Sequence, residues 1–460
     1  MLKITLENKV LYCENGARLS DVLLQSEKGV SHPCGGKGIC RKCTVLVNGK
    51  PELSCRYVIN SDIEVALPKT ADIASETGIE NTFTKTENMC FCLDIGSTTL
   101  ALSLVSLDNK AVVDTIIRTN PQRIYGADVI SRIEYSRKSG YSHLHKILVN
   151  EINSMVEYFD IKKDLPLFIS GNTTMLHFFF NADPSGIGVA PYTPVFLEKQ
   201  ICNGSEIGLK AVSRAESLPC ISAFVGADIV AGLNCVYCPE KGTYNMLIDL
   251  GTNAEIALFS QTDVICTSAA AGPCFEGANV SCGMNATDGA VYAYSESRCK
   301  TVGNVMPKGI CGTGLIDIVA ELLYSEIDET GYMENEEFEI ADGVSLSQGD
   351  VRQYQLAKSA VFSALETLLD YKNITCDDIE KVYISGGFSA EINIANAVKT
   401  GLITKELKEK CVAINNSSLL GTVNYACGKD VTDSVLKNAE YVDLSASDVF
   451  TEKFIKNMMF

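Results

Sequence analysis

A chain of 460 residues with net charge −18 is too long for one ordinary domain and too acidic for a nucleic-acid binder, because phosphate recognition needs a basic footprint. Hydrophobic residues make up 46%, enough for sizeable cores, but no run of about 18 apolar residues is free of charge, so no membrane partner is expected. The opening MLKITLENKVLYCENG lacks the basic and apolar segments of a signal peptide, and a cytoplasmic protein is expected.

LKITL and KVLYC read as a β-hairpin turning at Glu7–Asn8. LSDVLLQSEKGV reads as a helix with Ser20 as N-cap and Gly29 as its stop. A cysteine loop follows. TVLVNGKPEL then forms a strand pair around Asn48–Gly49, a strong hairpin signal, and DIEVALP closes the region as a last strand. The order β-β-α-loop-β-β predicts a small α+β fold over residues 1–68. That region carries nine Lys/Arg and seven Asp/Glu, a balance of +2 that leaves −20 for the remainder. Residues 69–89 are polar, without periodicity, and read as a linker.

From Cys90 onward larger α/β units are expected, and they contain an internal repeat. CLDIGSTTLALSLV at 92–105 matches LIDLGTNAEIALFS at 247–260: apolar strand, Asp, apolar residue, Gly, hydroxyl residue, second apolar strand. Such a repeat predicts two similar lobes, placed at 90–240 and 241–460. GLIDIVAELLYSEI (314–327) and QLAKSAVFSALETLLDY (355–371) have helical periods, the second with Leu356, Ala360, Val361, Ala364, Leu365 and Leu368 on one stripe. His143 and His145 fall in a polar helical stretch and read as surface residues, and no histidine shows metal-ligand spacing.

The chain has 19 cysteines, most of them scattered. Cys13, Cys90, Cys92 and Cys266 sit in apolar, strand-like runs and read as core. Cys235 and Cys238 form a lone C-x2-C, for which packing is preferred over redox work. Cys34, Cys40, Cys43 and Cys55 cluster as C-x5-C-x2-C-x11-C. Four thiolates suit zinc or an iron–sulfur cluster. Zinc sites usually pair two C-x2-C knuckles, and this loop has one. Gly35, Gly36 and Gly38 let the backbone wrap an inorganic core with N–H groups aimed at sulfides. The loop resembles the 2Fe–2S loop of plant- and adrenodoxin-type ferredoxins, which have a β-grasp fold. Lys37, Arg41, Lys42 and Arg56 nearby could dock an acidic redox partner.

No G-x4-G-K-[ST] is present, so this is not a P-loop protein. The repeated D-[IL]-G-[ST]-[TN] is another phosphate device: a strand ends in a carboxylate able to hold Mg²⁺ through water, and a glycine turn offers N–H groups and a hydroxyl to phosphate oxygens. With VYISGGFSAE at 382–391, the set resembles the phosphate and adenosine motifs of the acetate and sugar kinase, heat-shock ATPase and actin superfamily, in which ATP lies between two RNase H-like lobes. Carried over by position, the resemblance assigns Asp94, Gly96, Ser97 and Thr98 to the first phosphate motif. Asp249, Gly251, Thr252 and Asn253 fall in the second, and Gly386, Gly387 and Phe388 flank the adenosine. Gly312, Thr313 and Gly314 of GICGTGLIDI open a helix, where anions bind readily. Glu255 and Asp317 are polar candidates for the hydrolytic base, with Glu255 favoured beside Asp94 and Asp249 as catalytic.

A β-grasp ferredoxin domain followed by an actin-like ATPase resembles the reductive activators of corrinoid enzymes, and SGNTTMLHFFF, APYTPV, GADIVAGL and SAAAGPCFEGANVSCGMNATDGAV extend the resemblance over the chain. It implies a 2Fe–2S cluster on Cys34, Cys40, Cys43 and Cys55, with ATP and Mg²⁺ as further cofactors. It also implies one-electron reduction of inactive Co(II) to Co(I) on a corrinoid protein of a methyltransferase system, fed by a low-potential electron donor. For one electron a mismatch of about 200 mV costs roughly 4–5 kcal/mol, and ATP-coupled lobe closure supplies a drive of that order. Larger family members carry an extra domain between the ferredoxin and ATPase parts, where this chain has only the linker. A homodimer, common in the family, is expected unless it uses that domain. In SAAAGPCFEG, Ser268 and Glu276 are candidates to face the corrinoid or the nucleotide, against a plainer reading as a turn shaping the cleft. The alternatives are a small-molecule kinase with a redox-sensing ferredoxin, or an ATP-gated donor to another low-potential enzyme.

Overall fold

The computed structural model describes residues 1–6, 9–25, 38, 43–67, 86–238, 240, 242–387 and 391–460. The Glu7–Asn8 turn, Gly29, Gly35, Gly36, Lys37, Arg41, Lys42, most of the linker, and the site candidates Cys34, Cys40 and Phe388 lie outside the described residues.

The first five strands form one sheet in the spatial order Lys9–Cys13, Leu2–Leu6, Ile63–Ala66, Thr44–Val47, Lys50–Leu53. The first strand runs parallel to the last, with Ile4 opposite Ile63. Asn48 and Gly49 both take positive φ (49° and 78°), the two-residue turn that matches strand twist. Helix Leu19–Gln25 lays Leu19, Val22 and Leu23 on the buried side chains Ile4, Leu6, Val45, Val47 and Val65. The helix begins one residue before the expected cap, so Ser20 lies inside it. Its first N–H groups need no side-chain cap, because Leu19 N donates to Tyr57 O and Ser20 N to Ser54 O.

Two six-stranded sheets follow, and their central strands repeat one plan. The first runs Ile201–Asn203, Val212–Ser217, Leu165–Gly171, Met89–Ile95, Thr99–Ser106, Ala111–Thr119. The second runs Cys411–Ala413, Ile379–Ser385, Tyr244–Leu250, Ala254–Phe259, Val264–Ala269, Ala439–Tyr441. In each, the strand carrying the motif aspartate pairs antiparallel with the next strand in sequence and parallel with a later one. Strands buried on both faces explain why they read as apolar runs.

Helix Tyr141–Tyr158 turns Leu144, Leu148, Ile152 and Met155 into the first core. His145 goes in with them: it is 8% exposed, with Nδ1 3.0 Å from Phe178 O, and His143 is half-buried against Tyr125. The surface reading of these histidines is therefore corrected. The stretch looks polar by composition, but the i, i+3, i+4 spacing decides which residues turn inward. The long helix of the second core is Gln348–Lys372, seven residues longer at its start than expected. Ser347 and Asp350 form a capping box there, which places Tyr354 and Ala357 in the core and leaves Leu356 half-buried. The helix expected over 314–327 spans Gly312–Leu322. Cys13, Cys90, Cys92 and Cys266 are buried as expected, and Cys235 and Cys238 are free thiols.

Helices Ala227–Val236 and Ser417–Ala426 cross between the two sheets. The second comes from the C-terminal part of the chain yet packs Leu419 and Val423 on Cys90, Cys92, Ala101 and Val105 of the first sheet. Asn234 ties the pair: its Nδ2 donates to Gly421 O and Lys429 O, and its Oδ1 accepts from Val431 N. Among the described residues no helix is long and apolar enough to cross a membrane.

Candidate functional site

Each motif aspartate stands two residues before a glycine whose N–H closes a turn, three residues on in the first motif and two in the second. Gly96 N donates to Thr99 O and Gly251 N to Asn253 O, both at 2.9 Å. A Cβ on Gly96 would meet Thr99 O at 2.7 Å, so this turn needs glycine to close. At Gly251 a Cβ would meet nothing nearer than 3.5 Å and would project toward the cleft, where a ligand can approach the bare backbone. The first turn is braced from behind. Asn120 Nδ2 donates to Gly96 O at 2.8 Å, and the guanidinium of Arg132 donates to the carbonyls of Ser97 and Gly126. Arg132 is fully buried, and that burial pulls its pKa down to about 9.

The two turns face each other across a cleft that opens to solvent. Asp94, Gly96, Ser97, Asp249, Gly251, Thr252, Asn253, Glu255, Gly386 and Gly387 all line it. Thr98 sits at its edge, its Oγ1 donating to Glu276 Oε2 at 2.9 Å.

Carboxylates dominate the electrostatics of this cleft. Asp94 accepts from Ser418 Oγ at 2.8 Å and Asn416 Nδ2 at 2.9 Å, yet burial still raises its pKa. Burial, with Asp228, Asp94 and Glu276 nearby, lifts Asp249 to about 8. Burial and Asp94 lift Asp228 to about 7. Glu255, opposite Asp249 in the strand register and hydrogen-bonded by Ser268 Oγ at 3.2 Å, is raised by burial and by both aspartates. Glu276 is raised by burial against the opposing pull of Thr252, Thr98, Arg123 and Arg132. Like charges gathered out of water resist ionising together. A divalent cation held near Asp94 and Asp249 through water would relieve that repulsion, and oxygen donors suit Mg²⁺; among the described residues no three carboxylates converge to ligate one directly.

Other candidates fall elsewhere. Gly312, Thr313 and Gly314 are buried and do not line the cleft; a Cβ on Gly312 would stand 2.1 Å from Phe275 O and one on Gly314 2.0 Å from Val291 O, so close packing accounts for both glycines. Asp317 also lies away from the cleft, accepting from Asn396 Nδ2 at 2.7 Å. Several cleft residues had gone unassigned: Asn172, Asp228, Asn416 and Ser418. One signal for them was present. FISGN at 168–172 and YISGG at 383–387 are a second repeat, on equivalent strands, and both glycines take positive φ against a carbonyl of the neighbouring motif strand. Asp228 opens the helix of GADIVAGL, and Asn416 and Ser418 had no local signature.

At the N-terminal sheet, Cys43 precedes strand Thr44–Val47 and Cys55 follows strand Lys50–Leu53. The hairpin brings their buried Sγ atoms to 3.2 Å. Among the described residues no group of three or more His, Cys, Asp or Glu side chains converges as a metal site.

Comparison with known proteins places this cleft in a family. Residues 243–460 match the family described as the C-terminal domain of RACo, the ASKHA domain, and residues 89–237 match the RACo middle region. The stretch read as the first lobe is therefore that middle region. A corrinoid activation enzyme of Eubacterium limosum is 27% identical over 414 residues, 80% of this chain and 69% of the relative. A reductase of the Co(II) methylated amine-specific corrinoid protein from Methanosarcina barkeri is 26% identical over 413 residues, 79% of this chain and 75% of the relative. The solved structure of a reductive activator for a corrinoid, iron–sulfur protein matches in fold with a TM-score of 0.74 at 23% identity, covering 100% of this chain and 98% of that one. The chain belongs to the family of reductive activators of corrinoid enzymes, with an ASKHA domain.

Proposed function

We propose that this chain is an ATP-dependent reductive activator that passes one electron to Co(II) of a corrinoid carried by a methyltransferase protein, restoring the active Co(I) form. The observation that carries the proposal is the pairing of two aspartate–glycine–hydroxyl turns across one carboxylate-lined cleft. In this reading Asp94 and Asp249 hold Mg²⁺ through water. The backbone and hydroxyl groups of Gly96, Ser97, Thr98, Gly251, Thr252 and Asn253 take the phosphates, and Gly386 and Gly387, with Phe388, flank the adenosine. Asp228 and Glu255 line the cleft without hydrogen-bonding a phosphate-motif hydroxyl, so one of them orients the attacking water. Helices Ala227–Val236 and Ser417–Ala426 would carry closure of the cleft from one sheet to the other.

The N-terminal unit is read as a β-grasp ferredoxin domain, supported by its mixed five-stranded sheet and by the convergence of Cys43 and Cys55. Together with Cys34 and Cys40 these residues would hold a 2Fe–2S cluster, which supplies a one-electron donor when bound. The protein's own contribution is to bury the two sulfurs at the end of a tight hairpin, with Arg56 next in sequence to Cys55. A low-potential donor protein and a corrinoid protein are the expected partners.

The test is anaerobic. Reconstituted protein, a reductant and a Co(II) corrinoid methyltransferase subunit are mixed, and Co(I) absorbance is followed with and without Mg-ATP. ATP-dependent Co(I) formation, lost in Cys55→Ala and in Asp249→Asn, is expected. Co(I) formation that ignores ATP would overturn the coupling. Turnover assays of Asp228→Asn and Glu255→Gln identify the water-orienting residue as the one whose loss spares Mg-ATP binding but stops hydrolysis.

A further inference from the structure

Glu276 stands between the two phosphate motifs and bonds to both. Its Oε2 accepts from Thr98 Oγ1 of the first turn at 2.9 Å and from Thr252 Oγ1 of the second, and Ser97 Oγ lies 3.3 Å from Thr252 Oγ1. These are cross-sheet contacts, because Thr98 belongs to the hairpin of the first sheet and Thr252 to that of the second. The residue ends a short turn, Pro273–Glu276, whose Cys274 and Phe275 are buried in the second core, Phe275 edge-on to Tyr354 at 6.0 Å. Gly272 (φ 78°) and Gly277 (φ 73°) bracket that turn. The base of the turn is thus anchored, and the carboxylate is the part that reaches the cleft.

A threonine hydroxyl has one proton to donate. Thr98 and Thr252 cannot give it to Glu276 and to a phosphate oxygen at once, and an ionised carboxylate has no proton to offer a phosphate in return. Two anions sharing the same donors would also repel. Arg123 and Arg132 lie close enough to act on the charge of Glu276, so a displaced carboxylate would stay near positive charge.

We infer that Glu276 is a latch: it holds the two phosphate turns together through Thr98 and Thr252 and yields those hydroxyls when the phosphates of a nucleotide take them. This rests on the nucleotide reading of the cleft and goes beyond it by naming the residue through which phosphate binding is felt across the sheets. The latch imposes a cost on nucleotide binding, because it must open before the competent arrangement is available. Removing it therefore tightens binding, the opposite of removing a phosphate or metal ligand.

The experiment is calorimetric titration of the full-length protein with Mg-ATP analogue that resists hydrolysis, comparing wild type with Glu276→Ala and Glu276→Gln. Release of the two charge-assisted hydrogen bonds predicts Kd at least about tenfold lower in Glu276→Ala, with Glu276→Gln, which keeps the shape and loses the charge, in between. Amide hydrogen exchange at residues 96–99 and 251–254, measured without nucleotide, should rise in both variants. Binding by wild type with equal or weaker binding by both variants overturns the latch and leaves the nucleotide reading standing. No binding by any of the three overturns the nucleotide reading and the latch with it.

Discussion

Gly421 crosses Ala231 backbone to backbone: a Cβ added to Gly421 would stand 1.6 Å from the Ala231 carbonyl oxygen. The two helices that link the sheets meet at this point, and no flexible side chain is there to give way. Gly421→Ala must push the helices apart. Overpacking costs typically about 1–3 kcal/mol, and a backbone collision belongs at or above the upper end. A chemical-denaturation midpoint unchanged from wild type would contradict this crossing.

Arg132 sets two effects against each other. Its fully buried guanidinium is desolvated, while it satisfies the carbonyls of Ser97 and Gly126. Arg132→Met recovers the first and loses the second, so global stability should change by no more than about 2 kcal/mol. The turn at Gly96 loses its brace, however, and on the proposed function Mg-ATP affinity should fall about tenfold or more. Unchanged affinity with a large loss of stability would place Arg132 in the core framework instead.

Asp94 is oriented by Ser418, a residue 324 positions away in sequence. Ser418→Ala should weaken Mg²⁺-dependent nucleotide binding about tenfold, the usual penalty for losing a supporting contact, and Asp94→Asn should weaken it further. In both variants the dependence of affinity on Mg²⁺ concentration should flatten. A variant that keeps the full Mg²⁺ response would overturn the proposed role of Asp94 in holding Mg²⁺.

His177 gives the protein a built-in acid sensitivity. It is buried and stacked on Phe196 at 4.2 Å, with Val195 N donating to Nε2, which assigns the proton to Nδ1 facing Thr173 O. Burial lowers its pKa, while Thr173 O and Asp183 pull the other way. The unfolded chain protonates this histidine near 6.5, and the folded chain does so only at lower pH. Between those values the unfolded state binds more protons, so this contribution is full above about pH 6.5 and is lost as pH falls through the window. Denaturation at pH 7.5 and 5.5 should show a smaller acid loss in His177→Gln than in wild type; equal losses would refute the assignment.

Local chemistry was legible in the sequence. Alternation and the Asn48–Gly49 turn marked the first strands, because a two-residue hairpin depends on near neighbours alone. The repeated aspartate–glycine motif marked two similar turns, since one compact segment encodes strand end, carboxylate and glycine turn within six residues. Helix limits were less legible: the start at Leu19 depends on carbonyls of residues 54 and 57, and the start at Gln348 on a capping box outside the apolar stripe.

What only the tertiary structure decided is which side chains converge. Asp228, Asn416 and Ser418 reach Asp94 and Asp249 from helices that cross between the sheets, and Glu276 reaches both turns from a third segment. Their spacing in sequence carries no period, because nothing local depends on it. Long-range packing of a buried carboxylate cluster selects them, and the glycine contact at residue 421 sets how closely the two halves approach.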